Sequence, residues 1–107
     1  MAWNLLFVAG LLEIVWAYTM KMSQGFTRVG PSVLTLVALA ASFGLLSVSM
    51  RTLPLGTAYT VWTGIGAIGA FVVGIVALDE PLTVGRVAAA TLIVAGLALM
   101  KLSTTTT

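Results

Sequence analysis

Four long runs of apolar residues, separated by short polar stretches, organise the chain. They cover approximately residues 3–20, 31–50, 57–78 and 83–100. Each run has about the 20 residues that a helix needs to cross the hydrocarbon core of a bilayer. Because lipid offers no partners for backbone polar groups, and the runs lack the alternation of barrel strands, helices are expected. The pattern predicts an all-α membrane protein, with four transmembrane helices forming a single domain over residues 1–102.

Polar residues and helix breakers mark the ends of the runs. Lys21 ends span one, and Pro31, a residue suited to the first turn of a helix, begins span two. Residues 53–56 and 79–81 supply the next two interruptions, each with a proline. The start of the chain lacks the basic segment of a cleavable signal, so we expect span one to be retained. Residues 103–107 are predicted to form a polar, frayed tail.

Composition strengthens the membrane assignment and removes most enzymatic chemistry. Of the 107 residues, 60% are hydrophobic and 7% are charged, and mean hydropathy is +1.14. Soluble domains carry about 25% charged residues. The sequence contains no cysteine and no histidine, which removes thiolate nucleophiles, the commonest metal ligand and the usual near-neutral base. We therefore expect no cofactor, no metal and no enzymatic activity. Five scattered bases predict no nucleic-acid partner.

The basic residues near the span ends are almost evenly divided between the two sides of the membrane. Lys21, Arg28 and Arg86 fall on one side, and Arg51 and Lys101 fall on the other. The orientation of a membrane protein follows the difference in the number of basic residues between the two sides. A difference of one residue therefore favours insertion in both orientations. Two oppositely oriented copies can form an antiparallel homodimer, and four helices alone enclose little volume for a binding cavity. A protein of single topology remains the alternative.

Glu13 is the one acid that falls inside an apolar run, about ten residues into span one. Placing an acid there costs on the order of 3 kcal/mol, so such residues usually have a function. The alternative is a protonated carboxyl group that holds helices together. Helical spacing puts Gly10, Trp16 and Ala17 on the same face as Glu13, which predicts an open notch with an indole wall.

Polar and aromatic residues in spans two and three could complete a site around Glu13. Ser42 lies near the middle of span two, and Tyr59, Trp62 and Thr63 lie along span three. Each aromatic residue alone could be an interfacial anchor. Together with a carboxylate they are typical of a site for a small organic cation. An apolar environment favours the protonated carboxyl group, so a proton and a cation could compete for Glu13.

Small residues indicate where helices could bend or approach closely. Three glycines in span three predict a hinge for alternating access: Gly64, Gly66 and Gly69. Three small residues in span four predict a packing face for a second copy: Gly85, Ala89 and Gly96. Glycine and alanine are also simply common in membrane helices, and this alternative stays open for span four.

Several segments carry a resemblance to a known family. They are Gly10-Leu11-Leu12-Glu13-Ile14-Val15-Trp16-Ala17, Gly25-Phe26-Thr27-Arg28, Ala41-Ser42-Phe43, Leu53-Pro54-Leu55-Gly56-Thr57-Ala58-Tyr59, Val61-Trp62-Thr63-Gly64-Ile65-Gly66-Ala67 and Glu80-Pro81-Leu82-Thr83. Over nearly the whole chain, the sequence resembles the small multidrug resistance family of bacterial inner-membrane transporters. The resemblance implies an antiparallel, dual-topology homodimer that exchanges protons for cations through Glu13.

Within that family, Trp16 and the segment from Trp62 to Ala67 are similar to the guanidinium-exporter branch. The resemblance implies that Ser42 and Trp62 hydrogen-bond Glu13 and that Tyr59 lines the site. Residues 18–21 depart from the guanidinium-exporter pattern, and residues 19–21 look more like the drug-exporting branch, so a polyspecific exporter of quaternary ammonium ions is an alternative. A non-transporting assembly factor, in which Glu13 serves packing alone, is the alternative from another class.

Overall fold

Four helices follow the four apolar runs in the computed structural model, which describes residues 1–105. Helix α1 spans Ala2–Met22, α2 Val29–Ser49, α3 Leu55–Leu78 and α4 Val84–Thr105. Each is long and apolar enough to cross a membrane. The predicted all-α architecture with four membrane-spanning helices is confirmed over the part of the chain that is described.

Helices α2 and α3 each begin two residues earlier than the sequence indicated, and proline is the reason in both cases. Helix α2 begins two residues before Pro31, which then occupies the first turn, where a missing N–H breaks no helical bond. Pro54 is the N-cap of α3, and its carbonyl accepts a hydrogen bond from the Ala58 N–H at 3.0 Å. Neither proline interrupts a helix.

Helix α4 extends beyond its predicted end at Met100. Residues 103–105, predicted as part of a frayed tail, continue the helix. The stretch after Leu97 contains no glycine or proline, so nothing local stops the helix there. Thr106 and Thr107, the rest of the predicted tail, lie outside the described residues.

The helices form a layer only 16 Å thick in its shortest dimension. Helix α1 packs against α2 on one side and α3 on the other, and α4 packs on α3. The core lies where the first three helices meet, and its buried members include Leu6, Leu46 and Trp62. Within the described part of α4, the membrane-spanning stretch contains no buried residue. One whole face of α4 is thus free in the subunit.

Polar side chains tie α1 to α2 at three levels. The bonds are Ser49 Oγ to the Ala2 carbonyl at 3.3 Å, Ser42 Oγ to the Ala9 carbonyl at 2.7 Å, and Thr19 Oγ1 with Thr35 Oγ1 at 2.7 Å. Ser42, Ser49 and Thr35 are fully buried. In a membrane, where the surrounding lipid is as apolar as the helices, such bonds help to hold helices together. They set the position of α1, which carries Glu13.

The turn between α3 and α4 is held by both backbone and side chains. Asp79 ends α3 in the left-handed conformation at φ 56°, and the Glu80 N–H donates to the Gly74 carbonyl at 3.0 Å. Glu80 Oε1 pairs with Arg86 at 3.3 Å, and the Arg86 guanidinium lies 5.4 Å from the centroid of the Phe71 ring. These contacts join the first turn of α4 to the last turns of α3.

Candidate functional site

The Glu13 carboxyl group lies between α1 and α3, directly against the backbone of α3 at Gly66. A Cβ atom at position 66 would overlap Glu13 Cδ and Oε1, so only glycine allows this approach. Glu13 Oε1 is buried and has no hydrogen-bond partner among the described residues. Because most buried polar atoms in proteins are hydrogen-bonded, this oxygen marks a candidate binding site for a proton or a ligand.

The glycines of α3 are packing positions as well as candidate hinge residues. A Cβ on Gly69 would overlap Ile14 of α1, and one on Gly64 would overlap Leu97 of α4. Helix α3 runs without interruption from Leu55 to Leu78, through all three glycines predicted to form a hinge. The structure gives these glycines a role in close helix packing that the sequence did not reveal. Bending at this point stays a prediction.

The notch predicted beside Gly10 is filled. Gly10 is buried, and a Cβ placed on it would lie 2.6 Å from Ile65 Cγ2. Ile65 of α3 thus occupies the space that Gly10 leaves on α1. Spacing along α1 alone could not show which side chain of α3 enters that space.

Ser42 and Trp62 form a buried hydrogen-bonded chain beside Glu13. The Trp62 Nε1–H donates to Ser42 Oγ at 3.0 Å, and Ser42 Oγ–H donates to the Ala9 carbonyl. The resemblance implied hydrogen bonds from both residues to Glu13, and in the subunit neither is formed. Ser42 has one hydroxyl hydrogen, which Ala9 takes, and Trp62 has one N–H, which Ser42 takes. The chain instead joins α1, α2 and α3 one helical turn before Glu13.

Trp16 is half-buried on the same face of α1 as Glu13. Its Nε1 atom is buried and has no hydrogen-bond partner among the described residues. An unpaired buried donor and an unpaired buried acceptor therefore occur three residues apart on one helix. Each unpaired group costs about 1–3 kcal/mol, which a bound molecule could recover.

Tyr59 and Thr63 lie on the α3–α4 side, not beside Glu13. Both are exposed, and they line a cavity of about 480 Å³ together with Gly64 and Gly96. The Tyr59 ring centroid lies 5.7 Å from that of Trp62, so the tyrosine is connected to the serine–tryptophan chain. Thr63 is not brought to the carboxyl group in this subunit.

Phe43 is an aromatic neighbour of the site that the sequence reasoning missed. Its ring centroid lies 5.6 Å from that of Trp62. The sequence carried a weak signal, since Phe43 directly follows Ser42, but consecutive residues of a helix point in different directions.

The small residues of α4 lie on the free surface of the subunit. Gly85, Ala89 and Gly96 are all exposed, and Gly85 and Gly96 have open space where a Cβ would stand. Their predicted partner is a second copy, and the surface they occupy is available for one.

Comparisons with known proteins agree over most of the chain. A family model described as "Small Multidrug Resistance protein" matches residues 1–93. Proteins named "Guanidinium exporter" from Citrobacter freundii and Salmonella typhimurium are each 53% identical over 104 residues, covering 97% of this chain and 99% of theirs. One of the same name from Yersinia pestis is 52% identical over 103 residues, covering 96% and 99%.

Proposed function

The chain belongs to the small multidrug resistance family, and from this premise we propose that it exports guanidinium and small substituted guanidinium cations across the bacterial inner membrane in exchange for protons. The observation that carries the proposal is the buried Oε1 atom of Glu13, which has no hydrogen-bond partner among the described residues and lies in the middle of a membrane-spanning helix. A transporter needs such a group, since cation and proton can each neutralise it. No bond in the cation is broken, so the protein is a transporter and not an enzyme.

Guanidinium suits the groups that surround Glu13. It is planar, and its N–H donors match the two oxygens of a carboxylate. The faces of indole rings attract cations, and Trp16 lies one turn from Glu13 on α1. Trp62 is held in place by Ser42, so its ring is a fixed wall. A fixed site loses less entropy when a small, rigid ion binds.

The complete site is proposed to form between two antiparallel copies. The subunit is a thin layer, and the described part of the α4 span contains no buried residue. The basic residues near the span ends are almost evenly divided between the two sides of the membrane. Two such layers would face each other with two Glu13 carboxyl groups, and the aromatic side chains Tyr59 and Phe43 would contribute from both copies. Bending of α3 at Gly64, Gly66 and Gly69 would open the site to one side at a time.

Reconstitution into liposomes tests the proposed function. An outward guanidinium gradient is expected to drive protons inward, and a transmembrane proton gradient is expected to accumulate guanidinium. Tetraethylammonium at equal concentration should compete weakly, because it lacks the N–H donors that pair with a carboxylate. Transport of bulky quaternary ammonium ions without a response to guanidinium would instead support the polyspecific alternative. Absence of any cation-coupled proton movement would support a non-transporting role.

Added lysines test the antiparallel dimer. Thr52 and Leu55 are exposed at the Arg51 end of the bundle, and Gln24 and Val29 are exposed at the other end. The pair Thr52→Lys and Leu55→Lys, combined with Arg28→Gln, changes the count of basic residues at the Arg51 end from two against three to four against two and should fix one orientation. Gln24→Lys with Val29→Lys makes this count two against five and should fix the opposite orientation. Guanidinium resistance of cells should be lost with either variant alone and restored when both are expressed together. Full resistance from one orientation-locked variant alone would contradict the antiparallel arrangement.

A further inference from the structure

A second groove, away from Glu13, opens between the beginning of α1 and the end of α4. Its volume is about 590 Å³, and its walls are apolar, including Phe7, Ile65, Leu97 and Ala98. Pockets of roughly 300–1,000 Å³ are the usual size for organic ligands. The proposed transport mechanism makes no use of this groove.

One end of the groove is polar and carries a positive charge. Trp3, Asn4 and Lys101 line it, and the Lys101 ammonium lies 5.5 Å from the centroid of the Trp3 ring. The structure shows one salt bridge among the described residues, and it joins Arg86 to Glu80. Lys101 therefore has no acidic partner among those residues. Tryptophan and lysine side chains commonly lie at the level of the lipid headgroups. The groove thus has a positioned cation at headgroup level, with no acidic side chain among the described residues to pair with it.

The depth of the groove matches one leaflet. On α4 its lining extends from Leu102 to Val94, a rise of about 12 Å of helix. Half of the hydrocarbon core measures about 15 Å. An acyl chain lying in the groove would therefore run from the headgroup region through most of its own leaflet.

A second copy of the chain would leave this groove open. With 3.6 residues per turn, the small residues Gly85, Ala89 and Gly96 point away from the side of α4 that lines the groove. That lining side carries Val94 and Lys101. If the small residues contact another copy, the groove remains in contact with lipid.

We propose that this groove binds one anionic phospholipid, with its phosphate on Lys101 and an acyl chain along the apolar walls. The positive charge of Lys101 favours an anionic lipid over the other possible ligands. A cationic substrate would be repelled by Lys101, and so would the ammonium group of a zwitterionic lipid. Basic pockets between transmembrane helices are known binding places for anionic headgroups. The lipid would join α1 to α4 across α3, and the inference does not depend on what the protein transports.

Native mass spectrometry with a mixture of phosphatidylglycerol and phosphatidylcholine tests the headgroup contact. The unmodified protein is expected to retain phosphatidylglycerol in preference to phosphatidylcholine by roughly five-fold, the contribution of one basic residue near an anionic lipid. Lys101→Gln should lose that preference. Lys21→Gln, which removes the exposed lysine at the other end of α1, should keep it. Equal preference in Lys101→Gln and the unmodified protein, or no preference in either, would overturn the proposal.

A second pair of variants tests the acyl-chain contact. Ala98 lines the groove, whereas Ala95 is exposed on the same helix and does not line it. Both substitutions to phenylalanine are compatible with a lipid-facing helix, so both variants should fold. Ala98→Phe is expected to reduce retained phosphatidylglycerol several-fold, and Ala95→Phe to leave it unchanged. The same amount of lipid on both variants would show that the groove holds no chain.

Discussion

Replacement of Glu13 with glutamine is expected to abolish guanidinium-coupled proton movement. Glutamine keeps the size and shape of the side chain but cannot carry a negative charge or exchange a proton at neutral pH. Leaving a buried cation without its anion costs about 3 kcal/mol or more, which corresponds to a loss in affinity of at least roughly 100-fold. The measurement is guanidinium-driven proton movement in liposomes, with isothermal titration of guanidinium in detergent for the binding step.

Asp79→Asn is the matched control for this variant. Asp79 is exposed at the end of α3, outside the membrane-spanning segment, and asparagine tolerates its left-handed conformation. The same change from acid to amide should therefore leave transport unchanged. Coupled transport that survives in Glu13→Gln would exclude Glu13 as the group shared by proton and cation. A loss of transport in both variants would show that the effect is not specific to the membrane-embedded acid.

The fold was predictable because a single physical constraint dominates this chain. Lipid requires internally bonded helices of about 20 residues, and the apolar runs have that length. The helix ends were less predictable, since Pro31 can occupy the first turn and does not have to begin the helix. The continuation of α4 past Met100 was missed because its polar residues suggested a tail, although nothing in the sequence breaks the helix there.

The residues of the candidate site were easier to predict from the sequence than the contacts between them. Glu13 was identifiable as an acid in the middle of an apolar run, and Ser42 and Trp62 as polar groups at membrane depth. Their mutual hydrogen bond was not predictable, because it depends on how α2 and α3 are rotated about their axes. The same limit applies to Gly10, whose partner Ile65 lies on another helix. Helical periodicity describes one helix at a time.

The close contact of Gly66 with Glu13 is visible in the structure but not in the sequence. Gly66→Ala is therefore the second variant for which a large effect is expected. A methyl group at position 66 would occupy the space of the Glu13 carboxyl group and push it away from α3. Overpacking of this kind typically costs about 1–3 kcal/mol, so displacement of the carboxyl group should lower guanidinium affinity by roughly 5- to 150-fold. Binding and proton-coupled transport of the reconstituted variant are the measurements. Gly44→Ala, on an open face of α2, is the control that should leave both unchanged.

A double variant separates this steric role of Gly66 from its predicted role as a hinge. Glu13→Asp shortens the acid by one methylene group, which removes the two atoms that a methyl group at position 66 would overlap most and leaves the milder 2.7 Å approach to Cγ. If the carboxyl contact is what matters, Gly66→Ala should reduce transport much less in the Glu13→Asp background than in the unmodified protein. If bending of α3 at Gly66 is what matters, the loss should be equally large in both backgrounds, because a shorter acid does not make an alanine-containing helix easier to bend. The difference between the two losses, measured as a double-mutant cycle on guanidinium exchange rates, therefore assigns Gly66 to one role or the other.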